Sequence, residues 1–187
     1  MSNKTALVTG ASDGIGAEFL EILAGRSYDL ILVARREEKL NQLAERVSRE
    51  FGVDCTVMVS DLSEPNAAQN LFQRIEERGL QVNFLINNAG LLHNGFFTKL
   101  SLEAQEKMIH VNVLALTALT HLYAAKMSSN GGGHILNVAS LAGWMAIPNQ
   151  NVYAASKAYV VSFSQALSNE MIAANSGVQV TALCPGY

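Results

Sequence analysis

The sequence predicts an α/β fold, a doubly wound parallel sheet with strands ordered 3-2-1-4-5-6, and three features carry that expectation. Short apolar runs alternate with amphipathic helical patterns at intervals of about 25–30 residues. The runs, such as Asp29-Leu30-Ile31-Leu32-Val33-Ala34, are continuously apolar instead of alternating, which is how strands buried on both faces read. The first run, Ala6-Leu7-Val8, meets Thr9-Gly10-Ala11-Ser12-Asp13-Gly14-Ile15-Gly16 and then a helical pattern, so strand, glycine turn and helix follow one another.

Ile15, Phe19, Leu20 and Leu23 share one face of that first helix, and Gly25 suits its C-cap. After the second strand, a charged helix from Glu37 to about Phe51 turns Leu40, Leu43 and Val47 inward. Cys55 to Val59 is a third strand, ending at Ser60-Asp61-Leu62. A helix from Asn66 to Arg78 stops before Gly79, and Val82 to Ile86 closes on Asn87-Asn88-Ala89-Gly90. The pattern from Leu102 to Met127 makes one long helix with Met108, Val111, Leu114, Ala115, Ala118 and Leu122 on its inner side. Ser128-Ser129-Asn130 and three glycines lead to strand five, His134 to Ala139. A second long helix spans about Asn151 to Ala174, and Val178 to Leu183 is strand six. Crossovers between such strands are right-handed.

The chain reads as one domain over residues 1–187, because 14 glycines and 3 prolines are spread without a linker-like stretch. With 49% apolar and 16% charged residues it has material for a large core, and a chain of this size buries roughly 70% of its unfolded surface. Cys55 and Cys184 sit in apolar runs and read as buried thiols in a reducing compartment. A net charge of −3 with scattered Lys and Arg argues against nucleic acid or an anionic membrane and leaves a small molecule as the partner. Met1-Ser2-Asn3-Lys4 runs straight into the first strand, leaving no room for a signal peptide, and no uninterrupted apolar run reaches the ~18 residues of a membrane span. The expectation is a cytoplasmic protein. His93, His110, His121 and His134 have no ligand-like spacing, so no metal site is expected.

A glycine turn feeding a helix N-terminus aims free N–H groups and the positive end of the helix dipole at whatever lies above it, and phosphate fits there. Gly10 and Gly14 permit angles a Cβ forbids; Gly14 and Gly16 allow close approach of a pyrophosphate and of helix to strand. The spacing G-x-x-x-G-x-G departs from the commonest dinucleotide fingerprint, and an ordinary βα turn is its plain alternative. In such sheets ligands bind beyond the carboxyl ends of the strands, which directs attention to Ser140 after strand five and to Tyr153 and Lys157, four apart on one helical face. A phenol with its ordinary pKa near 10 is a poor acid or base at neutral pH, and an adjacent cation favours the phenolate. Taken alone, the pair is also what an exposed helix face carries.

In order and spacing, Thr9-Gly10-x-x-x-Gly14-x-Gly16, Asp61, Asn87-Asn88-Ala89-Gly90, Asn112, Ser140, Tyr153, Lys157 and Pro185-Gly186 resemble the short-chain dehydrogenase/reductase family over essentially the whole chain. The resemblance implies an oxidoreductase that interconverts a carbonyl and an alcohol by hydride transfer. Tyr153 is then the general acid and base, Ser140 holds the substrate oxygen, Lys157 lowers the phenol pKa and holds the nicotinamide ribose, and Asn112 anchors a water relay to Lys157. The lesser alternative for Asn112 is a polar residue bonding backbone inside its helix. The implied cofactor set is Gly10, Ser12, Asp13, Gly14, Ile15, Gly16, Arg35, Arg36, Asp61, Leu62, Asn88, Ala89, Gly90, Tyr153, Lys157, Pro185 and Gly186. Asn87 reads as a tie between strands.

NAD-binding members usually carry an acidic residue at the end of strand two, where this chain has Ala34 and then Arg35-Arg36. Guanidinium groups suit a 2′-phosphate, so NADP is expected over NAD, although two arginines opening a helix also read as a solvated face. Asp13 departs from the pattern, standing where many NADP-using members have a basic residue. Asp61 suits the adenine amino group, with Leu62 beside it, or a cap before the next helix. Leu141, Trp144, Met145 and Ile147, with His93, read as a substrate wall or as loop packing. The resemblance implies a homodimer or homotetramer through the two long helices; a catalytically weak nucleotide-binding or association subunit is the alternative reading. Family members continue beyond the Pro185-Gly186-Tyr187 turn with a seventh strand and a lid, and Val178, Val180, Ala182 and Leu183 are apolar for an open edge. The expectation is therefore a chain incomplete at its C-terminus.

Overall fold

Six apolar runs become strands in a computed structural model that describes residues 4–186: β1 (Lys4–Thr9), β2 (Tyr28–Ala34), β3 (Cys55–Val59), β4 (Val82–Asn87), β5 (Gly133–Val138) and β6 (Val178–Leu183). Tyr187 and Met1 to Asn3 lie outside the described residues. Every pairing is parallel and the order is β3-β2-β1-β4-β5-β6, as the sequence predicts. Where the β1–β4 register shifts between Thr5 and Ala6, the Thr5 amide donates to Asn83 Oδ1 (2.9 Å), so the irregularity leaves no orphaned donor there.

Side chains alternate across the sheet, and each face meets its own helices. Leu7, Ile31, Leu85 and Ile135 point toward α3 (Ala67–Glu77) and α5 (Leu116–Ser129), meeting Leu71, Ile75, Leu119 and Tyr123. Ala6, Val8, Leu30, Leu32 and Ile86 point the other way, onto Leu20 and Leu23 of α1 (Gly14–Ala24) and Leu40 and Val47 of α2 (Glu37–Phe51). α6 (Asn151–Ala173) joins the first layer, with Leu167 and Met171 against its core. Because both faces are covered, Ala6, Leu7, Val8 and Leu30 to Val33 are at most 1% exposed.

The long helix departs from expectation. α4 (Leu102–Ile109) passes into α5 through a π-helical segment, His110–Ala115, and that widened turn advances the inner stripe. Leu119, Tyr123 and Met127 therefore enter the core, Ala118 is only half-buried, and Leu114 is 51% exposed. An 18-residue window of the combined helix Leu102–Ser129 has a mean hydropathy of 1.4, enough by length and composition to cross a bilayer, although the sequence holds no uninterrupted apolar run of that length; half of that window is buried inside the protein. Other corrections are local. Gly25 caps α1 in a right-handed conformation, and the left-handed residue falls on Ser27. Cys184 lies beyond β6, and both cysteines are only half-buried.

Asn87 ties strands together, as read. Its Nδ2 donates to Thr120 Oγ1 (3.0 Å) and to Asn137 Oδ1 (2.9 Å), while Asn137 Nδ2 donates to Ser164 Oγ (3.0 Å), so one buried polar chain links β4, β5, α5 and α6. Replacing Asn137 by Ala removes shared hydrogen bonds and leaves a void, at a cost of about 2–4 kcal/mol. Urea unfolding followed by circular dichroism should give a lower midpoint at unchanged slope; an unchanged midpoint would mean the network contributes nothing to stability.

Candidate cofactor and active site

Thr9 ends β1 by fastening it to the end of β4: its hydroxyl donates to the Ile86 carbonyl and accepts from the Asn88 and Ala89 amides, both at 3.0 Å. The chain then turns through Gly10 (φ +65°) and Gly14 (φ +51°), the left-handed angles expected of them. A Cβ at Gly16 would stand 2.2 Å from the Gly10 carbonyl oxygen, so only glycine lets α1 sit this close to the strand. The Asn88 side chain donates through Nδ2 to the Thr9 and Gly10 carbonyls, bracing the turn from the β4 side.

Asp13 occupies the N-cap of α1, yet its side chain makes no capping hydrogen bond. The first-turn amides are left for a ligand. The carboxylate instead pairs with Arg36 and with Lys39 (2.5 Å), whose hydrogen bonds, Lys39 first, hold its pKa below the usual carboxylate range. Arg36 also donates to Ser12 Oγ (3.0 Å), and Arg35 lies 3.8 Å from Asp61. Asp61 accepts from the amide and hydroxyl of Ser63 in a local turn and does not cap α3, whose N-cap is Asn66.

These groups border one cleft of ≈ 350 Å³. Gly10, Ser12, Asp13, Ile15, Arg35, Arg36, Asp61, Leu62, Asn88, Ala89 and Gly90 line it as the sequence suggests, together with Val33, Ala34, Ser60, Leu91 and Val111, which it did not single out. Ile15, expected on the inner face of α1, is 42% exposed and turned to the cleft. Gly14 and Gly16 shape the turn without lining the cleft; a Cβ at Gly14 would meet nothing within 4 Å. A cradle of bare backbone under an uncapped helix end fits the phosphates of a dinucleotide.

Beyond Gly90 lies the second half of the site. A Cβ there would stand 3.6 Å from Lys157 Nζ and 3.5 Å from Asn112 Oδ1, so this wall of the cleft abuts both side chains. Lys157 is 4% exposed, donates to the Val138 carbonyl at the end of β5 (2.7 Å), and has its Nζ 5.7 Å from the centre of the Tyr153 ring. Burial pushes its pKa down to about 8. Asn112 sits in the π-helical segment, where Nδ2 donates to the Leu91 carbonyl and Ser156 Oγ, and Oδ1 accepts from the Leu91 amide. Ser156 in turn donates to the Tyr153 carbonyl (2.7 Å), so it clasps the first turn of α6 to Asn112. The sequence marked Asn112 but not Ser156, which reads there as one more small helical residue.

Ser140 opens a short 3₁₀ turn, Leu141–Trp144, its Oγ accepting from the Ala142 amide (3.1 Å). Gly143, another residue not singled out, lets this turn lie on α6: a Cβ would stand 2.8 Å from the Lys157 carbonyl group. The Leu141 amide donates to the Pro185 carbonyl, and a Cβ at Gly186 would touch Leu141, so Pro185-Gly186 adjoins the Ser140 turn. Trp144, Met145 and Ile147 line a separate apolar groove against Ala154, Ala155 and Ala158. His93 is half-buried, with its amide on Met108 Sδ. Among the described residues no three His, Cys, Asp or Glu side chains gather as metal ligands would.

The sequence model of the short chain dehydrogenase family matches residues 4–187. An uncharacterized oxidoreductase of Staphylococcus saprophyticus is 33% identical over all of this chain and 79% of its own length. Among solved structures, the bulky-bulky ketone specific alcohol dehydrogenase from Comamonas testosteroni superposes with a TM-score of 0.92 at 33% identity, covering 100% of this chain and 73% of that one. A short-chain dehydrogenase from Sphingobium yanoikuyae in complex with NADPH gives 0.91 at 37% identity, covering 98% and 71%. The chain spans from 54% to 79% of the length of such curated relatives.

The buried ammonium carries a signature in stability. With its pKa near 8 in the fold against 10.5 unfolded, Lys157 is charged in both states below pH 8 and costs the fold about 3 kcal/mol. Between pH 8 and 10.5 the folded state releases the proton while the unfolded state keeps it, so stability rises with pH; above 10.5 the cost is gone. Without nucleotide, wild type should therefore gain about 2 kcal/mol on Lys157→Met between pH 7.5 and 10. Urea titrations of both proteins across that range test this, and a constant difference would mean the ammonium is not desolvated.

Proposed function

The chain belongs to the short-chain dehydrogenase family, and from that premise we propose that it is an NADP(H)-dependent oxidoreductase interconverting a carbonyl and an alcohol, with Tyr153 as general acid and base. One observation carries the reading: a buried ammonium faces the Tyr153 ring and adjoins, through Gly90, a cleft suited to phosphate. When bound, the nicotinamide supplies or accepts the hydride. In the reducing direction the Tyr153 hydroxyl gives its proton to the carbonyl oxygen, which the Ser140 hydroxyl steadies. The Lys157 ammonium stabilises the phenolate left behind and, with Val138 as its fixed partner, holds the ribose hydroxyls on its remaining donors. Both Asn112 amide donors are spent on Leu91 and Ser156, so its part in a proton relay falls to Oδ1 and to the main-chain carbonyls that the π turn loosens.

Arg35, exposed at the cleft beside Asp61, and Arg36 support NADP over NAD, and a similar enzyme's structure holds NADPH. Leu141, Trp144, Met145, Phe96 and Phe97, all exposed near the carboxyl ends of β4 and β5, support an apolar carbonyl substrate. Association through α5 and α6 is supported by their outer faces, where Tyr159 bonds Thr117 and stacks on Phe163 while staying partly exposed.

Turnover of NADPH with a panel of apolar ketones tests the activity, and Tyr153→Phe should lower it by at least about 10²-fold at nearly unchanged cofactor affinity. Near-normal turnover in that variant would remove Tyr153 from the proton path. Arg35→Asp should shift the NADP-to-NAD affinity ratio by about tenfold toward NAD, a magnitude set by its exposure; a fixed ratio would place the specificity elsewhere.

A further inference from the structure

Resting on the NADP reading, we propose that the Asp13 carboxylate is a built-in competitor for the 2′-phosphate: it occupies Arg36 and Lys39 until the phosphate displaces it, and together Asp13 and Lys39 set the preference for NADP. The sequence offers Arg35 and Arg36 as the phosphate partners and marks Asp13 as out of place. The geometry points to a different grouping.

Three observations converge. Asp13 stands at the N-cap of α1, where an aspartate ordinarily turns back to accept from first-turn amides, and it does not do so. Its two oxygens are taken instead by Lys39 Nζ on Oδ1, at 2.5 Å, and by Arg36 Nη2 on Oδ2. The same Nη2 donates to Ser12 Oγ, so a guanidinium and an ammonium converge on one anionic group, and the Ser12 hydroxyl is tied to the guanidinium. A planar fork and a point charge are donors that a phosphomonoester takes. Here a carboxylate fills their centre. Lys39 comes to this place because α2 opens at Glu37 directly after Arg36, its N-cap, so a residue in the first helical turn reaches across to the β1–α1 loop.

The exchange is open to water. Asp13, Arg36 and Lys39 side chains are 57%, 54% and 46% exposed, which makes each ion pair weak and readily broken. A phosphate with charge near −2 outcompetes a single carboxylate for the two cations, yet the displaced Asp13 remains on the adjoining loop and repels it. A ribose carrying only hydroxyls meets no such repulsion. Asp13 therefore acts against the phosphate selectively, and Lys39 acts for it.

The test uses the 187-residue chain and two probes that differ only in the phosphate, adenosine 2′,5′-bisphosphate and adenosine 5′-monophosphate, titrated by calorimetry at low and high salt. Asp13→Asn should raise the affinity ratio in favour of the bisphosphate roughly three- to tenfold, Lys39→Ala should lower it by a similar factor, and both effects should shrink at high salt. Continued binding of the monophosphate reports that each variant keeps its cleft. A wild-type protein that binds the two probes alike overturns the NADP reading itself. A wild-type preference for the bisphosphate with a ratio that neither variant moves, or that Asp13→Asn lowers, overturns the role of Asp13 and Lys39 alone.

Discussion

Lys157 is a charge taken out of water without an opposite charge beside it. Its Nζ donates to the Val138 carbonyl, and among the described residues no carboxylate forms an ion pair with it. A cost of about 3 kcal/mol is a sizeable part of the 5–15 kcal/mol by which domains are usually stable. The surroundings are arranged to keep that side chain in place. Gly143 brings the Ser140 turn against the Lys157 carbonyl, and Gly90 brings the β4 turn within contact of Nζ, in both cases because no side chain intervenes. The desolvation that penalises the ammonium comes from the same packing that gives it a fixed position under the Tyr153 ring.

The π-helical segment is the second element on which this depends. A regular helix from Leu102 to Ser129 would carry a stripe advancing by 3.6 residues per turn, and that stripe includes Ala118 and Leu122. Instead the stripe slips at His110–Ala115, and Leu119, Tyr123 and Met127 fill the core. The slip orients Asn112 toward the Leu91 backbone and Ser156, where a continuous α-helix would have spent that turn on aliphatic packing. Asn112, Ser156 and the Tyr153 carbonyl thus form a polar brace between the π-helical segment and α6. The position of the phenol depends on an irregularity about 40 residues away from it in sequence.

Much of this was legible in the residues. Continuous apolar runs at even intervals gave all six strands within two residues of their ends, because parallel strands buried on both faces read as unbroken apolar runs. Gly10, Gly14 and Gly16 announced the turn, since each serves a backbone angle or an approach that a Cβ would spoil. Three things were hidden. The π turn has no composition of its own, and what Asn112 meets there comes from the loop after β4 and from α6. Ser156 and Gly143 look like ordinary small residues until the opposing element is in place. The pairing of Asp13 with Lys39 joins residues 26 apart, and nothing local distinguishes it from a solvated helix face.

The two ends of the sheet differ in a way that locates the site without reference to any relative. At the amino ends, exposed backbone groups find local partners: Thr5 has Asn83, the Asp54 amide has Asp29, and the Val178 amide has Ser176. At the carboxyl ends Thr9 and Asn88 likewise tie backbone groups, yet three other features go unrelieved. Helix α1 goes uncapped although an aspartate stands at its cap, an ammonium is buried on a neutral carbonyl, and apolar side chains of the Ser140 turn face solvent. Each of these lowers the stability of the free fold, and the first two are what a ligand with phosphates near Gly14 and hydroxyls near Lys157 would relieve. Features that cost stability separately but are relieved by one molecule mark a binding site more strongly than any of them does alone.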